Sequence, residues 1–210
     1  RDQNWYYIGT CLPNGKENDQ ILFEDIERKK REYCLFLPLY DTLIDMQIGL
    51  DDDSSIENIT FQNKPLVFYG TSITQGGCAS RPGLAHTNII SRELGYECIN
   101  LGFSGNGHLE SSIGAIMSDI DASLYVVECM YNVDKKMINQ KTRSLIKAIR
   151  ANPNSKNTPI VFMEQAVIDM GHLNTEFISS VMEKNEELNK QIQESMSGGE
   201  KDLVIMKHTG

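Results

Sequence analysis

From residue 65 onward, short apolar runs alternate with helix-like segments, and this alternation restricts the fold more than any other feature. Five runs predict strands, at residues 65–69, 96–101, 124–128, 159–163 and 203–206. Their apolar residues are continuous, which is typical of strands buried on both faces of a parallel sheet. The sequence therefore predicts an α/β fold, a three-layer α/β/α sandwich built on a five-stranded parallel sheet.

The segments between the runs carry helix signals. Pro82 suits the first turn of the first helix, and Gly95 suits the position just past its end. Asp134 is a residue type that caps helices, and it precedes the third helix. Four helices are predicted, at residues 82–94, 109–118, 134–150 and 174–196.

Polar or glycine-rich loops follow the first three runs. Residues 70–77 read Gly-Thr-Ser-Ile-Thr-Gln-Gly-Gly, residues 102–107 read Gly-Phe-Ser-Gly-Asn-Gly, and Asn132 follows the third run. Parallel strands end at one edge of the sheet, where open α/β sheets bind ligands, so we expect these loops to meet. A serine such as Ser72 can be a nucleophile there if a base takes its proton and N–H groups face the developing oxyanion.

These three blocks, in this order, resemble the SGNH (GDSL-like) hydrolase family over roughly residues 60–210. They are most similar to the subgroup in which a β-rich domain precedes the hydrolase domain. The resemblance implies that Ser72 is the catalytic nucleophile and that its own backbone N–H is one oxyanion-hole donor. The backbone N–H of Gly105 and the side-chain amide of Asn132 would be the other two donors. The resemblance implies no metal and no organic cofactor.

The base of the catalytic site is harder to find. The resemblance places it in an Asp-x-x-His motif after the fifth strand. Asp169 and His172 have this spacing but follow the fourth run, which is one βα unit too early. His208 follows the fifth run but has no aspartate three residues before it. His172 and His208 are both candidate bases, and we expect the family histidine itself to lie beyond Gly210.

Two other kinds of site do not fit the loop at residues 70–77. A nucleotide-binding phosphate loop needs a lysine after its last glycine, and none follows Gly77. The Gly-x-Ser-x-Gly elbow of α/β-hydrolases needs a second glycine where Thr74 stands. The glycines also suit simple tight βα turns, but such turns do not explain the order of serine, glycine and asparagine.

Residues 1–60 have a different pattern from the rest of the chain. Ile44, Met46 and Ile48 alternate with polar residues, which predicts a half-buried strand. We expect residues 1–60 to be the C-terminal part of a β-rich, jelly-roll-like domain. Residues 61–210 would then be the hydrolase domain without its C-terminal end. A small β extension packed on the α/β domain is the alternative.

The charge and composition exclude several classes of partner. A net charge of −9 disfavours nucleic acid, whose phosphates an acidic protein repels. No apolar run approaches the ~20 residues that span a membrane, so we expect no membrane insertion. The spacing of the five cysteines matches no zinc motif. No signal peptide is visible, although the family resemblance implies a secreted or periplasmic protein.

The expected function is that of a serine esterase. The resemblance implies removal of short acyl groups through a Ser72 acyl-enzyme, with acetyl esters of carbohydrates or other small-molecule esters as substrates. Two alternatives remain open. A catalytically inactive module of the same fold could bind acylated sugars, which the missing family histidine would explain. A serine acyltransferase could use the same nucleophile.

Overall fold

The computed structural model describes residues 4–168, 171 and 173–208. The chain divides into two compact units, Arg1–Phe36 and Leu37–Gly210. All the described strands and helices belong to the second unit. In the described part of the chain, no helix has both the length and the apolar character needed to cross a membrane.

The second unit contains a five-stranded sheet in which all strands are parallel, in the order β2-β1-β3-β4-β5. Strand β1 lies between β2 and β3, and its last residue, Gly70, pairs with Gly102 of β2 and with Glu128 of β3. The carboxyl ends of these three strands are therefore neighbours. The strands are β1 (Leu66–Gly70), β2 (Cys98–Gly102), β3 (Leu124–Glu128), β4 (Ile160–Met163) and β5 (Leu203–Met206). The predicted parallel sheet is confirmed.

Helices cover both faces of the sheet. Val67 and Tyr69 of β1 share a core with residues of α3, α4 and α5, whereas Phe68 packs on the other face with Ile90 of α2. This alternation explains why the strands carry apolar residues on both faces. The helices are α1 (Ser72–Gln75), α2 (His86–Leu94), α3 (Ser111–Ser118), α4 (Lys135–Ile149) and α5 (Thr175–Ser197), with a 3₁₀ turn at Pro82–Leu84.

The predicted helix ends agree with the structure to within one residue, but two predicted starts are wrong: Pro82 opens a separate 3₁₀ turn before α2 begins at His86, and α3 begins at Ser111 rather than at residue 109. The Asp134 side chain accepts a hydrogen bond from the Met137 backbone N–H at 2.7 Å, so it caps α4. Gly95 ends α2 in the left-handed region, with φ of 67°. The short helix α1 was not predicted from the sequence, because four residues are too few to show a helical period.

Residues 4–60 contain no strand and no helix. The prediction of a half-buried strand at residues 44–48 is therefore wrong, and Ile44 is 96% exposed. An alternating pattern becomes a strand only where a neighbouring strand accepts its backbone hydrogen bonds, and none of the described residues does so here. Residues 37–60 group with the α/β unit. The assignment of residues 1–60 to a β-rich domain stays a prediction.

Candidate active site

The candidate nucleophile lies in a tight turn between β1 and α1. Strand β1 ends at Gly70, and Ser72 is the first residue of α1. The hydroxyl oxygen of Thr71 caps the helix by accepting a hydrogen bond from the Ile73 N–H at 3.3 Å. The Ser72 N–H also belongs to the first turn, where N–H groups lack helical partners, and no described residue accepts a hydrogen bond from it. Ser72 is half-buried, with a free backbone donor beside its hydroxyl.

A buried carboxyl group accepts hydrogen bonds from two residues of this turn and so holds it in place. Glu128, at the carboxyl end of β3, is 6% exposed. Its Oε2 accepts hydrogen bonds from the hydroxyls of Thr71 at 3.0 Å and Thr74 at 2.9 Å. Burial raises the pKa of Glu128, and the hydrogen bonds from the two threonines offset part of that rise. Ser72 therefore lies between two residues that are tied to the same carboxyl group.

The glycines around the turn permit backbones to approach more closely than any side chain would allow. A Cβ on Gly70 would lie 2.2 Å from Thr74 Oγ1, and one on Gly102 would lie 2.0 Å from the Gln75 backbone nitrogen. Gly107 has φ of +75°, and a Cβ there would lie 2.5 Å from the Gly70 carbonyl oxygen. The loop after β2 therefore packs directly against the nucleophile turn.

Hydrogen bonds connect the three loops that carry the predicted site residues. The Gln75 side-chain oxygen accepts from the Ser104 N–H at 2.7 Å, which joins α1 to the loop after β2. The Asn132 side-chain amide donates to the Asn106 carbonyl at 2.6 Å, which joins the loop after β3 to the same loop. A Cβ on Gly105 would meet nothing within 4 Å, so its backbone is accessible. Ser72, Gly105 and Asn132 thus lie in adjoining loops.

Of the two candidate bases, the structure describes only His208. His172, with Asp169, lies outside the described residues. His208 follows β5 and is exposed, and its backbone N–H lies 3.3 Å from Glu164 Oε2. Three strand spacings separate β5 from β1, which is about 14 Å at the usual ~4.8 Å per spacing. No described histidine makes a hydrogen bond to the Ser72 hydroxyl.

A second polar cluster supports the loop after β2. The buried Tyr69 hydroxyl donates to the Glu110 carboxylate, which also accepts from the His108 N–H at 2.7 Å. Burial is the main cause that raises the pKa of Tyr69. Burial alone would raise the pKa of Glu110, but the hydrogen bonds from Tyr69 and from the backbone lower it overall. No group of three His, Cys, Asp or Glu residues within the described ranges could hold a metal ion.

Sequence reasoning missed both carboxyl groups of these clusters. Glu128 ends a run that is otherwise apolar, and a charge in that place was the available signal. Glu110 directly precedes α3, where an acidic residue is common for reasons unrelated to a site. In both cases the partners of the carboxyl group, Thr74 and Tyr69, are more than 40 residues away along the chain.

Two protein families match the chain. Residues 63–209 match the family described as GDSL-like lipase/acylhydrolase. Residues 1–56 match the N-terminus of SGNH-hydrolase-type esterases. No curated protein matches the chain at a significant level.

Solved structures share the fold. A protein described as a GDSL-like lipase from Bacteroides ovatus is 32% identical, with a TM-score of 0.76 over 83% of this chain and 51% of that chain. The salicylyl-acyltransferase of a tetracycline biosynthetic pathway is 17% identical, with a TM-score of 0.60 over 76% of this chain and 46% of that one. A family two carbohydrate esterase from Clostridium thermocellum, in complex with cellohexaose, is 13% identical, with a TM-score of 0.50 over 72% and 56%. The latter two show the fold alone, and this chain spans about half the length of these relatives.

Proposed function

Because the chain belongs to the GDSL-like lipase/acylhydrolase (SGNH hydrolase) family, we propose that it is a serine esterase that removes short acyl groups, such as acetyl, from carbohydrate esters. The observation that carries the proposal is the position of Ser72 at the start of α1. Its hydroxyl and its N–H lie just past the end of β1, the strand between β2 and β3, and between the loops of Gly105 and Asn132.

In the proposed reaction, Ser72 Oγ attacks the carbonyl carbon of the ester while the base takes the Oγ proton. The negative charge on the carbonyl oxygen is stabilised by hydrogen bonds from the N–H groups of Ser72 and Gly105 and from the Asn132 amide. The bond to the alcohol then breaks, and the alcohol leaves with the proton from the base. Water attacks the acyl-enzyme with the help of the same base and releases the acid and Ser72.

The base is proposed to be a histidine delivered by a loop that follows β4 or β5. Within this chain the candidates are His172 and His208. To reach Ser72, a loop after β4 has to cross the width of β3, and a loop after β5 has to cross β3 and β4, which a loop of moderate length can do. A histidine in that place takes the proton at one ring nitrogen, and the other nitrogen is free to be oriented by a carboxylate.

The carbohydrate part of the proposal is supported by coarser observations. A carbohydrate esterase bound to cellohexaose shares the fold, although at 13% identity. The match of residues 1–56 to the N-terminus of SGNH-type esterases supports the proposed division into a preceding domain, residues 1–60, and a hydrolase domain, residues 61–210. In this arrangement the α/β unit supplies the reacting groups.

The direct test is hydrolysis of 4-nitrophenyl acetate and of acetylated glucose by the full chain and by Ser72→Ala. We expect turnover of both esters, and a loss of at least about 10⁴-fold in Ser72→Ala, because removal of a nucleophile leaves only oxyanion-hole and binding effects. Ser80→Ala, at an exposed serine, is the matched control and should keep full activity.

Other outcomes would reject the proposal. Turnover that survives Ser72→Ala would exclude Ser72 as the nucleophile. No turnover by the unmodified chain would favour a module that binds acylated sugars without catalysis. With an active chain, His172→Ala and His208→Ala locate the base, because the variant of the true base loses activity to nearly the same extent as Ser72→Ala.

A further inference from the structure

A short segment that precedes the α/β fold lies against the nucleophile turn. The Gln75 side-chain amide donates to the Leu39 carbonyl at 2.9 Å, and its oxygen accepts from the Ser104 N–H. The Leu39 side chain also approaches the turn, since a Cβ on Gly76 would lie 2.8 Å from Leu39 Cδ1. One glutamine thus ties residues 37–40 both to α1 and to the loop after β2.

This attachment puts Tyr40 beside the nucleophile. A Cβ built on Gly77 would lie 2.8 Å from the Tyr40 hydroxyl oxygen and 3.5 Å from Ser72 Cβ. The Tyr40 hydroxyl oxygen therefore lies at most about 6.3 Å from Ser72 Cβ. Tyr40 is 56% exposed, and its hydroxyl makes no hydrogen bond to any described residue. Its ring and its hydroxyl are both available to a bound molecule.

We propose that Tyr40 forms one wall of the subsite for the sugar, the leaving group of the ester. The ring would lie along the apolar face of the sugar, and the hydroxyl would bond a sugar hydroxyl next to the ester oxygen. This inference rests on the proposed function. An exposed aromatic ring with a polar tip suits a sugar, which offers C–H and O–H groups together. A pocket for the acyl group would instead be closed and apolar.

The exposed position of Tyr40 also makes the inference testable without loss of the fold. Tyr40 contributes little to the core, so Tyr40→Ala should fold normally. Gly77 provides a second probe, because its backbone is not in the left-handed region and a Cβ there would lie 2.8 Å from the Tyr40 hydroxyl oxygen and 3.0 Å from the Ser72 carbonyl oxygen. Gly77→Ala therefore crowds the proposed wall while it leaves Tyr40 present, and it also presses on the backbone of Ser72.

The experiment measures equilibrium binding of acetylated glucose by NMR titration, in the full chain carrying Ser72→Ala so that no substrate is consumed. We expect Tyr40→Ala to raise the dissociation constant about tenfold and Tyr40→Phe about threefold, the range that aromatic contacts and single hydrogen bonds give. Gly77→Ala should weaken binding about threefold, and its effect should be smaller when Tyr40→Ala is present, because only the contact with the Ser72 carbonyl oxygen then remains. Tyr6→Ala, at a 78% exposed tyrosine in the first unit, is the matched control.

The outcomes separate this inference from the proposed function. A dissociation constant that changes less than twofold in Tyr40→Ala would overturn the sugar subsite, even if Ser72-dependent hydrolysis is intact. Absence of binding by the Ser72→Ala chain, together with Ser72-dependent hydrolysis of 4-nitrophenyl acetate, would also overturn it. Turnover that persists in Ser72→Ala would overturn the proposed function itself, and the subsite with it.

Discussion

The two sides of the sheet, β2-β1-β3 and β4-β5, differ in how the loops at the carboxyl ends of their strands are held in place. The loops after β1, β2 and β3 are tied to one another through Glu128, Gln75 and Asn132. The loop after β4 is tied mainly to α5, because Glu164 accepts from the Asn189 amide at 2.6 Å and the Gln165 N–H donates to Asn185 at 2.9 Å. The nucleophile side is thus held by its own loops, whereas the other side is held by a helix.

This difference matches what each half has to do in the proposed reaction. A nucleophile and its oxyanion donors must have fixed relative positions, because a misplaced donor stabilises no charge. The base, in contrast, can be carried by a longer loop. The Tyr131 hydroxyl accepts a hydrogen bond from the Ala166 N–H at 3.3 Å, so the loop after β3 also touches the loop after β4.

The largest effect that tests this comparison concerns the Asn132 amide, which joins the loop after β3 to the loop after β2. Asn132→Ala should lower kcat for 4-nitrophenyl acetate by about 10²–10³-fold, because it removes a proposed oxyanion donor. Asn189→Ala removes an amide of the same type from the other half, and it should change kcat less than about threefold. Steady-state kinetics of the two variants provide the measurement.

Thermal unfolding of the same variants is the control for this comparison. Both amides make structural hydrogen bonds, so similar small decreases in melting temperature are expected. Equal losses of kcat in Asn132→Ala and Asn189→Ala would contradict the comparison, since the β4 side would then be as closely coupled to the chemistry as the β3 side.

The next largest expected effect is on the free energy of unfolding. Gly102→Ala would place a Cβ 2.0 Å from the Gln75 backbone nitrogen, and backbone atoms cannot move aside as a flexible side chain can. We expect a loss of about 3 kcal/mol or more in the free energy of unfolding, at the upper end of overpacking effects. Urea denaturation followed by circular dichroism measures it. Gly49→Ala, where a Cβ meets nothing within 4 Å, should change stability by less than about 0.5 kcal/mol.

A stability loss in Gly102→Ala no larger than in Gly49→Ala would show that the loop after β2 can move away from α1. In that case the nucleophile side of the sheet would not be held more rigidly than the other. A loss confined to Gly102→Ala would instead show that the close packing of the two loops contributes to folding as well as to the geometry of the site.

The sequence predicts the nucleophile side of the sheet well because its signals are local. Continuous apolar runs mark the buried parallel strands, and Gly102 and Gly107 mark close backbone approaches that only glycine permits. Family resemblance then orders Ser72, Gly105 and Asn132, which the structure brings into adjoining loops. Their catalytic roles stay predictions.

The remaining features depend on partners that are distant in the sequence. Glu128 is recognisable as an anchor only when Thr74, 54 residues away, is seen to donate to it. The alternation at residues 44–48 needs a neighbouring strand before it becomes a strand itself. His208 follows β5 as expected, but its distance from Ser72 depends on the strand order, which the chain sequence does not reveal directly.

The smallest expected effect is a pH dependence that arises from Glu128. Burial raises the pKa of Glu128, and its Oε1 is buried without a partner among the described residues, so the charged form is disfavoured in the folded state. The folded protein therefore binds the proton more tightly than the unfolded chain, in which a glutamate titrates near pH ~4.3. Stability from this group is complete below that pH and is lost as the pH rises through the raised pKa.

Glu128→Gln removes this dependence, because the glutamine oxygen can still accept from Thr71 and Thr74 but cannot ionise. As the pH rises from about 4.5 to 8, the stability of the unmodified chain should fall relative to Glu128→Gln, by about 1.4 kcal/mol per unit of pKa shift. Thr74→Val should enlarge the fall, since it removes a hydrogen bond that lowers the pKa of Glu128. If the two proteins lose stability in parallel across this pH range, the Glu128 carboxyl group is not desolvated. Glu128 would then not differ in this respect from the half-exposed Glu164 at the end of β4, and the nucleophile side would lack its buried anchor.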